Sequence, residues 1–225
     1  MRFPWLQRLY TPTMHRPLLL AGIVFMLSGC TGNQVLIDDF PRPIPIPAGS
    51  SVDCTKLARD TDLHGCDLSG KDLAEINLFN ANLAGADLTG AKLKNADLRF
   101  ANLEGAILTD ADAHGANLHG ANLKNAVLLR ADIHSADMHG ADLTGADLRA
   151  AFMSRTLLFN ATLDGADLTG AWMEGVNLYE ASMKNTILRN CYLRNAFLSG
   201  ADITGADSSG SVLEYAVMPD GSLHP

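Results

Sequence analysis

The sequence predicts an all-β fold, a solenoid wound from a five-residue repeat. Three observations lead there. From residue 61 to 220 every fifth residue, beginning at Leu63, is apolar except Ser208; 23 of these 32 positions are Leu, so the register is no accident. Two residues before each of them, Ala fills 23 of 32 positions, which places a small side chain on the same side as the Leu. Two residues after it, Gly or Asn fills 22 of 32, which supplies a permissive backbone at regular intervals.

A period of five suits neither regular element. In an α-helix five residues advance about 500°, so the Leu positions would spiral over every face. In a long flat strand an odd period sends alternate Leu residues to opposite faces. Both conflicts disappear if each pentad is a short extended piece followed by a corner. Ala and Leu then point inward. The residue between them, Asp or Asn at 19 of 32 positions, points outward or bonds local backbone.

The pentads ADLTG at 86–90, 141–145 and 166–170, ADITG at 201–205 and ANLHG at 116–120 resemble the pentapeptide-repeat family, A(D/N)LXX. The resemblance covers 61–220, about 70% of the chain. It implies a right-handed quadrilateral β-helix with four pentads per coil, hence about eight coils and a height of ~38 Å at ~4.8 Å per strand spacing. No insertion breaks the repeat, so the loops that project from some family members are missing. Both ends of a solenoid need covers. Residues 51–60 are expected to form a short N-terminal helical cap, with Ser51 or Asp53 at its start. The pattern degrades through Ser208, Ser211, Tyr215 and Pro219, so 208–225 should close the far end, with 221–225 as a tail beyond the repeats.

The first 29 residues form an address. Arg2, Arg8, His15 and Arg16 precede the run LLLAGIVFML at 18–27, followed by Ser28, Gly29 and Cys30. Ten apolar residues are half the ~20 that a spanning helix needs, and the order of basic, apolar and small residues is that of a signal peptide. It resembles a bacterial lipoprotein signal, which implies acylation of Cys30 as the first mature residue. The plainer alternative is a buried start helix with a chance cysteine. Met14 offers a second start. By the same resemblance Thr31, rather than Asp, after the cysteine implies a bacterial cell-envelope protein, lipid-anchored on the periplasmic side of the outer membrane. Pro41, Pro43, Pro45 and Pro47 make 30–50 an extended tether.

Composition sets limits on function. Apolar residues make up 47% and charged residues 19%, which excludes a disordered polyampholyte. A formal charge of -8 argues against a basic nucleic-acid binder. No nucleophile elbow, phosphate loop, HExxH or CxxC occurs, and Asp at a repeat position is architecture rather than an acid–base pair. No enzyme activity, cofactor or small-molecule substrate is expected. Cys54 and Cys66, twelve residues apart, either form a disulfide across the cap, worth ~2–3 kcal/mol in an oxidising compartment, or remain buried thiols. Cys66 and Cys191 both occupy the inward Ala position.

Two surface patterns stand out. His114, His119, His134 and His139 each follow a Leu position, and with twenty residues per coil His114 meets His134 while His119 meets His139. They either fill a solvated outward slot or form a weak metal site. Phe152, Trp172 and Tyr192, also twenty apart, occupy the outward Asp/Asn slot. On the next face Leu157 and Phe197 do the same, with Phe159 and Tyr179 beside them. An apolar surface this long marks an interface more often than a self-contained ring ladder. The sequence therefore reads as a non-enzymatic envelope scaffold binding a protein partner, or a second copy, through its C-terminal coils. The resemblance also brings an alternative, the acidic DNA mimics of the family that bind gyrase; the signal sequence places this chain away from that target. A third reading is metal capture by the histidines.

Overall fold

The computed structural model describes residues 52–225. The signal peptide (1–29), Cys30, the proline-rich tether (30–50) and Ser51 lie outside the described residues. Among the described residues no helix is long and apolar enough to cross a membrane.

Each pentad pairs through the residue just before its Leu position. Asp62 bridges Asn82, Asn82 bridges Asn102, and every parallel bridge through Phe197 and Val217 joins residues twenty apart. Four pentads therefore close one coil, and 61–220 makes eight coils with four faces. The first face carries Leu63 in the first coil, the second Leu68, the third Leu73 and the fourth Leu78. Backbone groups are satisfied from coil to coil: Leu63 N–H donates to Asn82 O at 2.7 Å, and Asn82 N–H donates to Thr61 O at 2.8 Å.

The corners are β-turns. Cys66 N–H donates to Leu63 O at 3.1 Å, and the equivalent bond recurs in pentad after pentad. The third residue of each turn takes positive φ, as in Asn80 at 54° and Asn95 at 54°. Gly and Asn are the residues expected there. Yet Phe100 (57°), Arg130 (56°), Ala150 (55°) and Arg155 (60°) adopt the same conformation. Stacked coils hold the corner in place against a left-handed cost of roughly 1–2 kcal/mol.

The Asp or Asn before the Leu position folds back on its own turn. Ser69 N–H donates to Asp67 Oδ1 at 3.0 Å, Thr89 N–H to Asp87 Oδ1 at 2.9 Å and Tyr179 N–H to Asn177 Oδ1 at 3.1 Å. On the first face these amides also bond coil to coil, Asn82 Nδ2 to Asp62 Oδ1 at 2.9 Å and Asn102 Nδ2 to Asn82 Oδ1 at 3.0 Å.

The Leu and Ala positions from Leu63 to Ala201 build one buried core. Polar residues in the Ala slot reach the corner of the preceding coil. Thr156 Oγ1 donates to Ile133 O at 2.8 Å, Thr186 Oγ1 to Leu163 O at 2.9 Å and Cys191 Sγ to Leu168 O at 3.0 Å. Among the described residues no buried side-chain polar atom lacks a partner.

The N-terminal end differs from the expected cap, whereas 208–225 closes the far end in part. Residues 52–60 form turns, not a helix. Asp53 Oδ1 accepts the Thr55 N–H at 3.0 Å and the Thr55 hydroxyl at 2.6 Å, which closes a tight turn in place of a helix start. Ten residues are also too few to nucleate a helix unaided. Val52, Cys54 and Leu57 pack on the core from this segment, and Cys54 is joined to Cys66 by a disulfide. At the far end the tail is no loose extension. Leu223 pairs antiparallel with Val217, and His224 N–H donates to Ala216 O at 2.8 Å. This return covers the fourth face and the corner leading into it. Among the described residues nothing pairs with the N–H groups of Ile203, Gly205, Ser208, Gly210 or Leu213. The last coil is thus closed along its fourth face and open along the other three.

Candidate partner-binding surface

Period twenty brings Phe152, Trp172 and Tyr192 into one column on the third face, since Phe152 bridges Trp172 and Trp172 bridges Tyr192. Strand neighbours of this kind lie close enough to stack. The Trp172 and Tyr192 rings do so, with centroids 4.4 Å apart and planes at 20°. Phe152 and Trp172 remain 48% exposed and Tyr192 43%, so the column stays open to solvent along its length. Large apolar groups left this open cost solvation unless something else covers them.

Phe159, Tyr179 and Phe197 lie on the fourth face, around the corner formed by Arg155, Gly175 and Asn195. Phe197 and Leu157 are exposed two coils apart, with Asn177 between them, whereas Phe159 and Tyr179 are half-buried. Tyr179 and Phe197 rings sit 5.9 Å apart at 17°. The expected aromatic set is therefore split between two neighbouring faces. Ile203, Tyr215 and Leu223 add exposed apolar surface at the open end of the solenoid.

The histidines stack in the expected pairs. His114 and His134 rings are 3.9 Å apart at 25°, and His119 and His139 are 3.7 Å apart at 20°. The Nδ1 atoms are occupied in three of the four: His134 with Asp132 Oδ1 at 2.6 Å, His139 with Asp137 Oδ1 at 2.5 Å, and His119 with His139 O at 2.9 Å. A metal ion sits about 2 Å from nitrogen in the ring plane. Stacked rings send their lone pairs along parallel lines instead of toward one point. Among the described residues no group of three or more His, Cys, Asp or Glu is placed to hold a metal ion.

Sequence reading missed what the second histidine pair belongs to. Phe79, Phe100, His119, His139 and Phe159 form one continuous ring column along the fourth face. Successive centroid distances are 5.7, 4.9, 3.7 and 4.6 Å. Arg59 and Arg99 flank its first ring, at 4.9 and 5.4 Å from the Phe79 centroid. Phe100 sits at a corner, one residue out of the twenty-residue register, so no column count could reveal it. Its ring fills the space that a side chain at Gly120 would need: a Cβ there would meet Phe100 Cδ1 and Cε1 at 2.7 Å.

Cys191 is no reactive site. Burial pushes its thiol up to about 11, so at neutral pH it carries no thiolate.

Comparison with known proteins agrees with the geometry. The pentapeptide-repeat profile matches in eight copies, over 59–95, 91–130, 114–149, 136–175 and 173–207. Among solved structures, the chain resembles HetL, a pentapeptide repeat protein involved in heterocyst differentiation regulation from the cyanobacterium Nostoc sp. strain PCC 7120. The TM-score is 0.73 at 40% identity over 74% of this chain and 76% of that one. It also resembles a trypsin-treated variant of QnrB1, a plasmid-mediated fluoroquinolone resistance protein. There the TM-score is 0.57 at 21% identity over 69% of this chain and 82% of that one, a likeness of fold alone. No curated protein sequence matches significantly. With the coil register, the corner turns and the repeat profile in agreement over more than half its length, this chain belongs to the pentapeptide-repeat family.

Proposed function

We propose that this protein is a lipid-anchored scaffold of the bacterial envelope that binds a protein partner, or a second copy of itself, through its C-terminal coils. It carries out no reaction of its own. The observation that carries this reading is the exposed column of Phe152, Trp172 and Tyr192 on a solenoid whose outward slots otherwise hold mostly Asp and Asn. The column runs toward the open edge of the last coil, so apolar surface and unpaired backbone adjoin. Both are features that association would cover. The Cys54–Cys66 disulfide supports an oxidising compartment, as the lipoprotein-like sequence at 18–30 does.

Trp172→Asp tests the interface. The slot accepts Asp in pentads across the chain, so the fold should persist with an unchanged far-UV spectrum. Sedimentation of the wild type should show self-association or a stoichiometric complex with a cross-linked partner, weakened about tenfold or more in the variant. An identical sedimentation and cross-linking pattern in both proteins would overturn the interface. The anchor is tested separately, by incorporation of a fatty-acid analogue, which should vanish together with membrane association in Cys30→Ser. Labelling that survives the substitution would remove Cys30 from the anchor.

A further inference from the structure

Along the corner between the third and fourth faces runs an open groove of about 690 Å³. It is lined by Asp132, His134, Ser135, Phe152, Ser154, Arg155, Glu174, Gly175 and Asn195. These residues come from four successive coils, a length of about 15 Å at ~4.8 Å per coil. The groove lies where the repeat pattern changes: Asp132 in the outward slot gives way to Phe152, so Ser154 lacks the carboxylate that closes the turn at His134.

Its polar side chains are unspent. Elsewhere this surface binds itself: Arg149 pairs with Asp147 at 2.6 Å, Arg189 with Asp207 at 2.5 Å and Arg194 with Glu214 at 2.6 Å. Among the described arginines Arg155 alone has no carboxylate partner. Among the described residues the side chains of Ser135, Ser154, Glu174 and Asn195 likewise have no hydrogen-bonding partner. Asp132 is taken by His134 Nδ1, which leaves the second ring nitrogen of His134 open. Two hydroxyls, an amide, a carboxylate and a guanidinium thus converge beside the half-exposed ring of Phe152.

The backbone tells which ligand suits. Ser135 N–H donates to Ser154 O, Arg155 N–H to Glu174 O and Gly175 N–H to Arg194 O, at 3.0, 2.9 and 2.8 Å. No strand edge is free in the groove, so an extended peptide finds no ladder to join. Two carboxylates against one guanidinium disfavour a polyanion. What remains is a ligand that offers many hydroxyls to side chains and an apolar C–H face to an aromatic ring. The geometry points to a binding site for a short, neutral oligosaccharide, with Phe152 as the packing face and Ser154, Arg155, Glu174 and Asn195 as the hydrogen-bonding set. This site shares Phe152 with the protein-binding surface proposed above but does not rest on that reading.

The test is calorimetric titration of the full chain in detergent with cellotetraose and with chitotetraose. The variant is Arg155→Gly combined with Asn195→Gly. Both positions have φ near 60°, at 60° and 56°, which glycine adopts without strain, so the side chains are removed and the corner kept. Saturable heat with at least one tetrasaccharide is expected, weakened about tenfold or more in the double variant. Should that variant lose its native spectrum, Glu174→Gln, on an exposed side chain, reads the same loss. Absence of heat with both sugars, heat unchanged by the substitutions, or heat with tetra-alanine in place of the sugars would each overturn the site. Sedimentation of the same samples reports self-association independently.

Discussion

At the scale of single residues, the repeat is enforced by what each slot can hold. Gly120 makes the case most sharply. Its φ is 63°, and the Phe100 ring of the preceding coil occupies the volume next to its Cα. Gly120→Ala should therefore cost about 2 kcal/mol or more, part from the left-handed backbone and part from the ring. A double-mutant cycle separates the two. With Phe100→Gly in place the steric part is gone, so adding Gly120→Ala should cost no more than about 1–2 kcal/mol. Thermal unfolding of the four proteins checks this; equal costs in both backgrounds would mean that the ring yields freely. Residue-level legibility divides along the same line. Inward slots are readable because burial admits only Leu, Ala and close substitutes. Corner conformations at Phe100, Ala150 and Arg155 are not, since there the stacked neighbours, rather than the residue, choose φ. Phe100 also hides the ring column by standing one place out of register.

At the scale of elements, the ends are the least readable parts, and the physical reason is that they do not repeat. Asp53 as a candidate cap suggests a helix over 51–60, but Thr55 donates both hydrogen bonds that Asp53 accepts and closes a turn. What holds this turn-rich segment on the first coil is Val52 and Leu57 packing together with the Cys54–Cys66 disulfide. Closing a twelve-residue loop is worth about 2–3 kcal/mol to the folded state. In a solenoid each coil contacts only its neighbours, so loss of that constraint should loosen the first coil and leave the middle untouched. The variant Cys54→Ser with Cys66→Ala keeps the slot filled, since Ala is its usual occupant. Hydrogen exchange should quicken at the Leu63 and Leu68 amides, and stay unchanged at Leu143 and Leu163. Uniform acceleration along the chain would mean that the coils unfold as one unit.

For the whole molecule, the repeated bonding of Asp to its own turn sets the response to acid. Asp207 is held down to about 2, first by the Ser209 hydroxyl, then by the Arg189 guanidinium and the Ser209 N–H. Asp67 is lowered by the Ser69 hydroxyl and N–H, Asp110 by Arg130, and Asp147 chiefly by Arg149. An unfolded Asp titrates near ~3.9, so as the pH falls from there toward about 2 the unfolded chain takes up protons that the folded chain refuses. The stability these carboxylates contribute is complete above that window and declines through it. Net charge pulls the other way. The chain carries -8 at neutral pH, and protonation relieves that self-repulsion, which favours the compact state. Repulsion is spread over exposed groups and screened within ~8–10 Å at physiological salt, whereas the turn bonds act at contact; the local term should win. The melting temperature at ~0.15 M salt is therefore expected to stay level from about pH 7 to 5 and to fall steadily below about pH 4. Asp207→Asn, which keeps an acceptor for Ser209 but cannot titrate, should flatten part of that fall. A melting temperature that rises as the pH drops from about 5 to 3 would show that charge repulsion, and not the Asp-centred turns, governs how this solenoid responds to acid.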